Sequence, residues 1–197
     1  AQHREMLDQV LVLFDIQPDV DLNLMRTGQD LTEITSRVML GLRDVLRNDP
    51  PDWVIVHGDT STTLAASIAS FYERVKVIHV EAGLRTGNNY EPWPEEMNRR
   101  LTSVLTTNHF APTEQAKCNL LKEGVNEDSI IVTGNTVIDA LLEIVEKIRK
   151  DSVLEQKLSS QFDFLNQQKR LILVTGHRRE NFGDGFKQIC QALRKIA

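Results

Sequence analysis

A repeating alternation between residues 53 and 175 constrains this chain more than any other feature. A short apolar run, a polar turn and an amphipathic stretch follow one another five times. The runs are WVIVH (53–57), KVIHV (76–80), HFAPT (109–113), IIVT (130–133) and LILVT (171–175). Such short runs, separated by helices, predict parallel strands buried on both faces, because parallel neighbours need a crossover to connect them. Right-handed βαβ units then give an α/β, Rossmann-like parallel sheet. The crossover helices are expected at 64–73, 95–106, 114–124, 136–150 and from about 186 onward. Two helices should precede the sheet. In residues 4–14, Met6, Val10, Leu13 and Phe14 share one face. In 31–48, Thr32 is placed to cap the start and Pro50–Pro51 ends the helix. The polar stretch 151–169 carries no element in this reading. A domain boundary is expected near Gly134–Asn135, giving units 1–134 and 135–197.

Composition narrows the functional classes. Of 197 residues, 41% are hydrophobic and 26% charged, too apolar for a disordered chain. Against 23 basic residues stand 28 acidic ones, a net charge of −5. That balance gives no help to nucleic-acid binding, which rests on neutralising phosphates. Two cysteines, Cys118 and Cys190, form no CxxC pair. They make neither a disulfide framework nor a Cys-rich zinc site, and each is expected to be a small buried helical residue. No apolar run is long enough to span a membrane and no signal peptide is evident, so the cytoplasm is the expected compartment. The chain opens AQHREML and closes inside an uncapped amphipathic helix, which reads as a segment of a longer protein.

In parallel α/β sheets chemistry sits beyond the C-terminal strand ends. Three polar clusters fall there: Gly58-Asp59-Thr60, Glu81-Ala82-Gly83 and Gly176-His177-Arg178-Arg179-Glu180. Asp59 is either an N-cap or a free carboxylate; Thr60, Ser61 and Thr62 can do the capping in its place. Glu81 ends an almost wholly apolar strand, a setting suited to proton transfer, and the plainer alternative is an ion pair with Arg85. His79, on the same strand, reads as a core histidine. Glu95 follows the stiff Trp93-Pro94 step, which aims its carboxylate toward a cleft. Glu96 is explained as a complement to the helix dipole, and Arg99 and Arg100 suit i,i+4 pairing with Glu95 and Glu96. His177 and Arg178 precede a helix and form an anion site. There is no P-loop, no G-x-G-x-x-G, no G-x-S-x-G and no metal-spaced histidine pair. Three carboxylates and one anion site suit proton transfer on a substrate with a phosphate-bearing leaving group.

The blocks AQHREMLDQV, VHGDTSTTLAAS, HVEAGLRTG, PWPEEMNRRLTS, VTGNTVIDAL and TGHRREN, in this order, resemble the bacterial non-hydrolysing UDP-N-acetylglucosamine 2-epimerases. The resemblance implies a glycosyltransferase-B-like two-domain fold with the active site between two Rossmann-like halves. It implies interconversion of UDP-N-acetylglucosamine and UDP-N-acetylmannosamine without metal or nicotinamide. The route is proton loss at sugar C2, departure of UDP to leave 2-acetamidoglucal, and re-addition with protonation on the opposite face. The family's catalytic positions fall on Asp59, Glu81, Glu95 and His177. Asp59, Glu81, His177 and Arg178 would bind substrate, and Gln2, Glu95 and Arg178 would help hold a second, activating UDP-N-acetylglucosamine. Gly28 stands where some activated members carry Arg. The partners implied are UDP-N-acetylglucosamine, UDP and a second copy of the full-length chain, which supplies surface-polysaccharide synthesis. The family's first strand, its Gly-Thr-Arg-Pro-Glu-Ala loop and most of its C-terminal domain have no counterpart here, so the chain alone is expected to be inactive. The competing expectations are a glycosyltransferase of the same fold, a hydrolysing epimerase, and an inert segment.

Overall fold

The computed structural model describes residues 4–26, 28–165, 168, 170–174 and 183–196. The described elements are α1 (Arg4–Leu13), α2 (Leu31–Asn48), β1 (Trp53–His57), α3 (Ser61–Tyr72), β2 (Lys76–Val80), α4 (Glu95–Leu105), β3 (Asn108–Ala111), α5 (Glu114–Lys122), a 3₁₀ turn (Glu127–Ser129), β4 (Ile130–Val132), α6 (Thr136–Lys150), α7 (Ser152–Gln161) and α8 (Asp184–Ile196). Two compact units result, Ala1–Glu143 and Ile144–Ala197.

The first unit holds a four-stranded sheet in the order β1-β2-β3-β4, parallel throughout. This is the expected Rossmann-like α/β sheet. Because each crossover moves one strand in the same direction, the right-handed rule sends α3, α4 and α5 to the same face. The register shows the result. Val56, His79, His109 and Ile130 are neighbours across the sheet, and all four are buried. The alternate row runs through Ile55 and Ile78, and Ile55 is 65% exposed. Burial on both faces, expected from the apolar runs, therefore does not hold for the described residues. Successive side chains point to opposite faces, and the crossover helices cover only one.

Local chemistry explains the element boundaries. α2 begins two residues earlier than a Thr32 cap would place it, because the Asp30 side chain accepts from the Glu33 amide. Thr60 caps α3 by accepting from the Thr63 amide, and Thr113 caps α5 in the same way. The core under α5 contains Ala82, Ala111, Ala116, Leu120 and Ile130. Ala116 and Leu120, one turn apart, fix which side of α5 faces inward. Cys118 lies between them on the outward side and is exposed, as is Cys190 on α8, so neither cysteine is the buried residue expected.

The second unit consists of the end of α6 with α7 and α8. α7 forms inside the polar stretch 151–169, where no element was expected; the Asp151 side chain caps it by accepting from the Val153 and Leu154 amides. Residues 171–174 of the LILVT run are not a strand, and Leu171, Ile172, Leu173 and Val174 are all exposed. A strand exists only through ladder hydrogen bonds to a neighbour, and no described strand pairs with this run.

Candidate functional site

The site is built at the C-terminal edge of β1 and β2. β1 ends at His57, and Gly58 turns the chain with φ +75°, so that Asp59 precedes the cap of α3. β2 ends at Val80 and Glu81 follows. Two backbone bonds clamp this edge: the Gly58 amide donates to the Val80 carbonyl at 3.1 Å, and the Ala82 amide to the Phe110 carbonyl at 3.0 Å. Glu81 is thereby held with φ +68°, a left-handed conformation unusual for a residue with a Cβ. Strain of this kind persists only where the surroundings over-determine it, and it clusters at functional sites.

Asp59 and Glu81 each have a cationic or titratable neighbour from another element. Glu81 Oε2 lies 3.1 Å from His57 Nε2; the histidine is 58% exposed and the glutamate 32%. The plainer alternative for Glu81, an ion pair with Arg85, does not form: Arg85 grips Glu123 through Nε at 2.9 Å and Nη2 at 2.7 Å. That grip holds the Glu123 carboxyl below its ordinary range. Arg85 reaches Glu123 because α5 returns over the strand end, a proximity with no sequence periodicity behind it. Asp59 Oδ2 lies 3.0 Å from Arg99 Nε, and Asn98 Nδ2 donates to the Asp59 carbonyl at 2.9 Å. Both of these partners come from α4.

Glu95 is the first residue of α4 and is half-buried. Asn98 and Arg99 lie three and four positions on, so Glu95 shares the helix face that meets Asp59. Asp59, Glu81 and the first turn of α4 therefore stand together along one edge of the sheet, as the carboxylate spacing suggested. Beside them opens a cavity of about 390 Å³ lined by side chains that include Leu31, Thr35, Met39, Ser61, Pro94 and Asn98, a wall whose exposed surface is mainly apolar. The expected Glu95–Arg99 and Glu96–Arg100 pairs do not form. Arg99 takes Asp59 and, at 3.4 Å, Glu96; Arg100 takes Asn89 and Glu123. Glu96 lies in the first turn of α4, where a carboxylate complements the helix dipole, and it is also 1% exposed and accepts the Thr86 and Gly87 amides. The sequence reading missed His57 as a partner of Glu81; its place as the last residue of β1 was the available signal. Gln2, His177 and Arg178 lie outside the described residues.

His79 is the core histidine expected, fully buried, and it also supports the site. Its Nε2 donates to the Gly58 carbonyl at 2.7 Å, which leaves Nδ1 as a buried lone pair without a partner. Desolvation pushes its pKa down to about 4. Burial lowers His109 in the same direction. Because His79 binds its proton less readily folded than unfolded, its contribution is complete above about pH 6.5 and is lost as pH falls toward 4. We expect unfolding free energy to be about 3 kcal/mol smaller at about pH 4 than at pH 7 from this group. Urea titrations at the two pH values should show that difference, and His79→Gln should flatten it. An unchanged pH slope in the variant would contradict the assignment.

Comparison with known proteins resolves the fold's ancestry. The model of the UDP-N-acetylglucosamine 2-epimerase family matches residues 1–197. The chain belongs to the UDP-N-acetylglucosamine 2-epimerase family. It is 59% identical to the UDP-N-acetylglucosamine 2-epimerase of Salmonella typhimurium strain LT2 over 197 residues, covering 100% of this chain and 52% of the relative. The crystal structure of the Neisseria meningitidis epimerase bound to UDP-GlcNAc matches with a TM-score of 0.93 at 55% identity, over 100% of this chain and 53% of that one. The Methanocaldococcus jannaschii epimerase in complex with UDP-GlcNAc and UDP matches with a TM-score of 0.70 at 36% identity, over 76% and 41%. This chain thus spans about half the length of the 2-epimerases it matches. The sheet is the Rossmann-like part of the glycosyltransferase-B-like fold of those enzymes.

Proposed function

We propose that the protein to which this chain belongs interconverts UDP-N-acetylglucosamine and UDP-N-acetylmannosamine. The observation that carries the reading is the pair Asp59 and Glu81 at adjacent strand ends, in a chain that belongs to the 2-epimerase family. Epimerisation at C2 needs a group that removes a proton from one face and a group that returns one to the other. Carboxylates held at separate strand ends supply such groups, and Glu95 on the neighbouring helix turn supplies a third. Elimination of UDP then leaves a charge that His177 and Arg178 would meet. No metal or nicotinamide enters this route. Gln2, Glu95 and Arg178 are the residues we assign to a second, activating nucleotide sugar. We further propose a domain boundary near residue 134, a homodimer of the full-length protein and a cytoplasmic location for it. Among the described residues no helix is long and apolar enough to cross a membrane.

The test uses a chain completed to the relatives' length. Incubation with UDP-N-acetylglucosamine in D₂O should give UDP-N-acetylmannosamine with deuterium at C2. Free N-acetylmannosamine with stoichiometric UDP would instead mark a hydrolysing enzyme, and sugar transfer to an acceptor a glycosyltransferase. The 197-residue chain by itself should bind UDP only weakly, with Kd about 1 mM or weaker, because it spans about half of the relatives' length and an open half-cleft leaves each charge interaction screened by water. Calorimetric titration giving micromolar affinity would show a complete nucleotide site within this chain.

A further inference from the structure

Arg99 is a buried cation, and a guanidinium removed from water must be paired. It has two partners from different parts of the chain. Its Nε approaches Asp59 Oδ2 at 3.0 Å, and its Nη1 approaches Glu96 Oε2 at 3.4 Å. Glu96 is fixed in turn. Its Oε2 accepts the Thr86 amide at 3.1 Å and its Oε1 the Gly87 amide at 3.2 Å, so it cannot swing away without stranding two backbone donors. Asp59, by contrast, keeps about a third of its side chain exposed. Its peptide is held by Asn98, and the next residue caps α3. The Arg99 Nε makes no aligned hydrogen bond despite its 3.0 Å approach. It holds the Asp59 carboxylate by charge attraction across that distance.

We propose that Arg99 is a positioning residue for Asp59, and that the buried Glu96, not its neighbour Glu95, is the carboxylate that keeps Arg99 in place. This rests on the epimerase reading for its kinetic consequence, though not for the contact itself. The planar fork of arginine presents separate edges to two carboxylates, which a lysine ammonium on a flexible stem does only in part. The chain Thr86/Gly87–Glu96–Arg99–Asp59 also ties the loop that follows Glu81 to the carboxylate that follows β1. One network therefore sets the relative placement of both strand-end acids.

In a chain completed to the relatives' length, Arg99→Gln should lower kcat about 10²-fold, the scale of a misplaced catalytic group, with KM within about threefold. Arg99→Lys should recover about tenfold of that loss. The double variant Asp59→Asn/Arg99→Gln should be no slower than Asp59→Asn alone, because the arginine acts through the aspartate. Arg100→Gln, on the adjacent exposed position, should leave kcat unchanged. Full multiplication of the two single effects, or near-wild-type kcat in Arg99→Gln, would overturn the proposal. Should Arg99→Gln fail to fold by circular dichroism, Arg99→Lys and Glu96→Gln decide it, and wild-type kcat in both would overturn it. Should the wild type show no epimerisation, the functional reading fails, and the contact is then judged in the 197-residue chain. There the ¹³C carboxyl resonance of Asp59 should move in Arg99→Lys and Glu96→Gln and stay in place in Arg100→Gln. An unmoved resonance in the first two would overturn the proposal.

Discussion

Asparagine at position 59 should slow epimerisation by about 10²–10⁴-fold in a chain completed to the relatives' length, the range a positioned proton-transfer group supplies. Asparagine keeps the shape of the side chain, and the two backbone ties of this segment do not involve the carboxylate: Asn98 holds the carbonyl, and Thr60 rather than Asp59 caps α3. The variant should therefore fold normally. It does leave Arg99 facing a neutral amide, with Glu96 as its remaining anion. Thermal melts and steady-state kinetics on the same preparation separate the two effects. A folded Asp59→Asn enzyme with near-wild-type turnover would remove Asp59 from the chemistry. Glu81→Gln should fall in the same range, and it should also release His57, whose Nε2 faces the carboxylate at 3.1 Å.

Alanine at position 83 should be the most damaging small substitution near the site, although it touches no catalytic group. Gly83 has φ +86°, where a residue with a Cβ pays about 1–2 kcal/mol. A Cβ there would also lie 2.3 Å from the Ala116 carbonyl oxygen, 2.8 Å from its carbon and 2.9 Å from Leu120 Cγ. The Ala116 carbonyl belongs to the backbone of α5 and cannot rotate aside. Overpacking of this kind adds about 1–3 kcal/mol. The Gly83 carbonyl is also tied to α5, accepting from Asn119 Nδ2 at 2.9 Å, so the loop cannot retreat without losing that bond. We expect Gly83→Ala to cost about 3 kcal/mol or more, read as a lower urea midpoint. Gly58→Ala is the control: its φ is +75° but its Cβ would meet nothing within 4 Å, so only the conformational penalty applies. Equal losses in the two variants would show that the close approach of α5 is not what makes Gly83 necessary.

Much of the fold was legible in the residues. β1 and β2 begin and end where their apolar runs do, and α6 where its helical spacing does, because these signals are local: period, length and the turn residues that flank them. The release of Asp59 from capping was legible too, since Thr60 offers a hydroxyl one residue closer to α3. The presence of carboxylates at two adjacent strand ends followed from the parallel topology alone. Tertiary structure decided the rest. No local rule foretells that Arg99 reaches back forty residues to Asp59, that Arg85 leaves Glu81 for Glu123, or that His57 takes Glu81 instead. Nor does any local rule show that Glu96 is buried while Glu95 is only half-covered. LILVT has the composition of a strand, but its described residues have no neighbour to complete the ladder. Periodicity records which side of an element is apolar. The partner of a charge, and the pairing of a strand, depend on which distant segment the fold brings within about 4 Å, where desolvation makes one pairing far better than its alternatives.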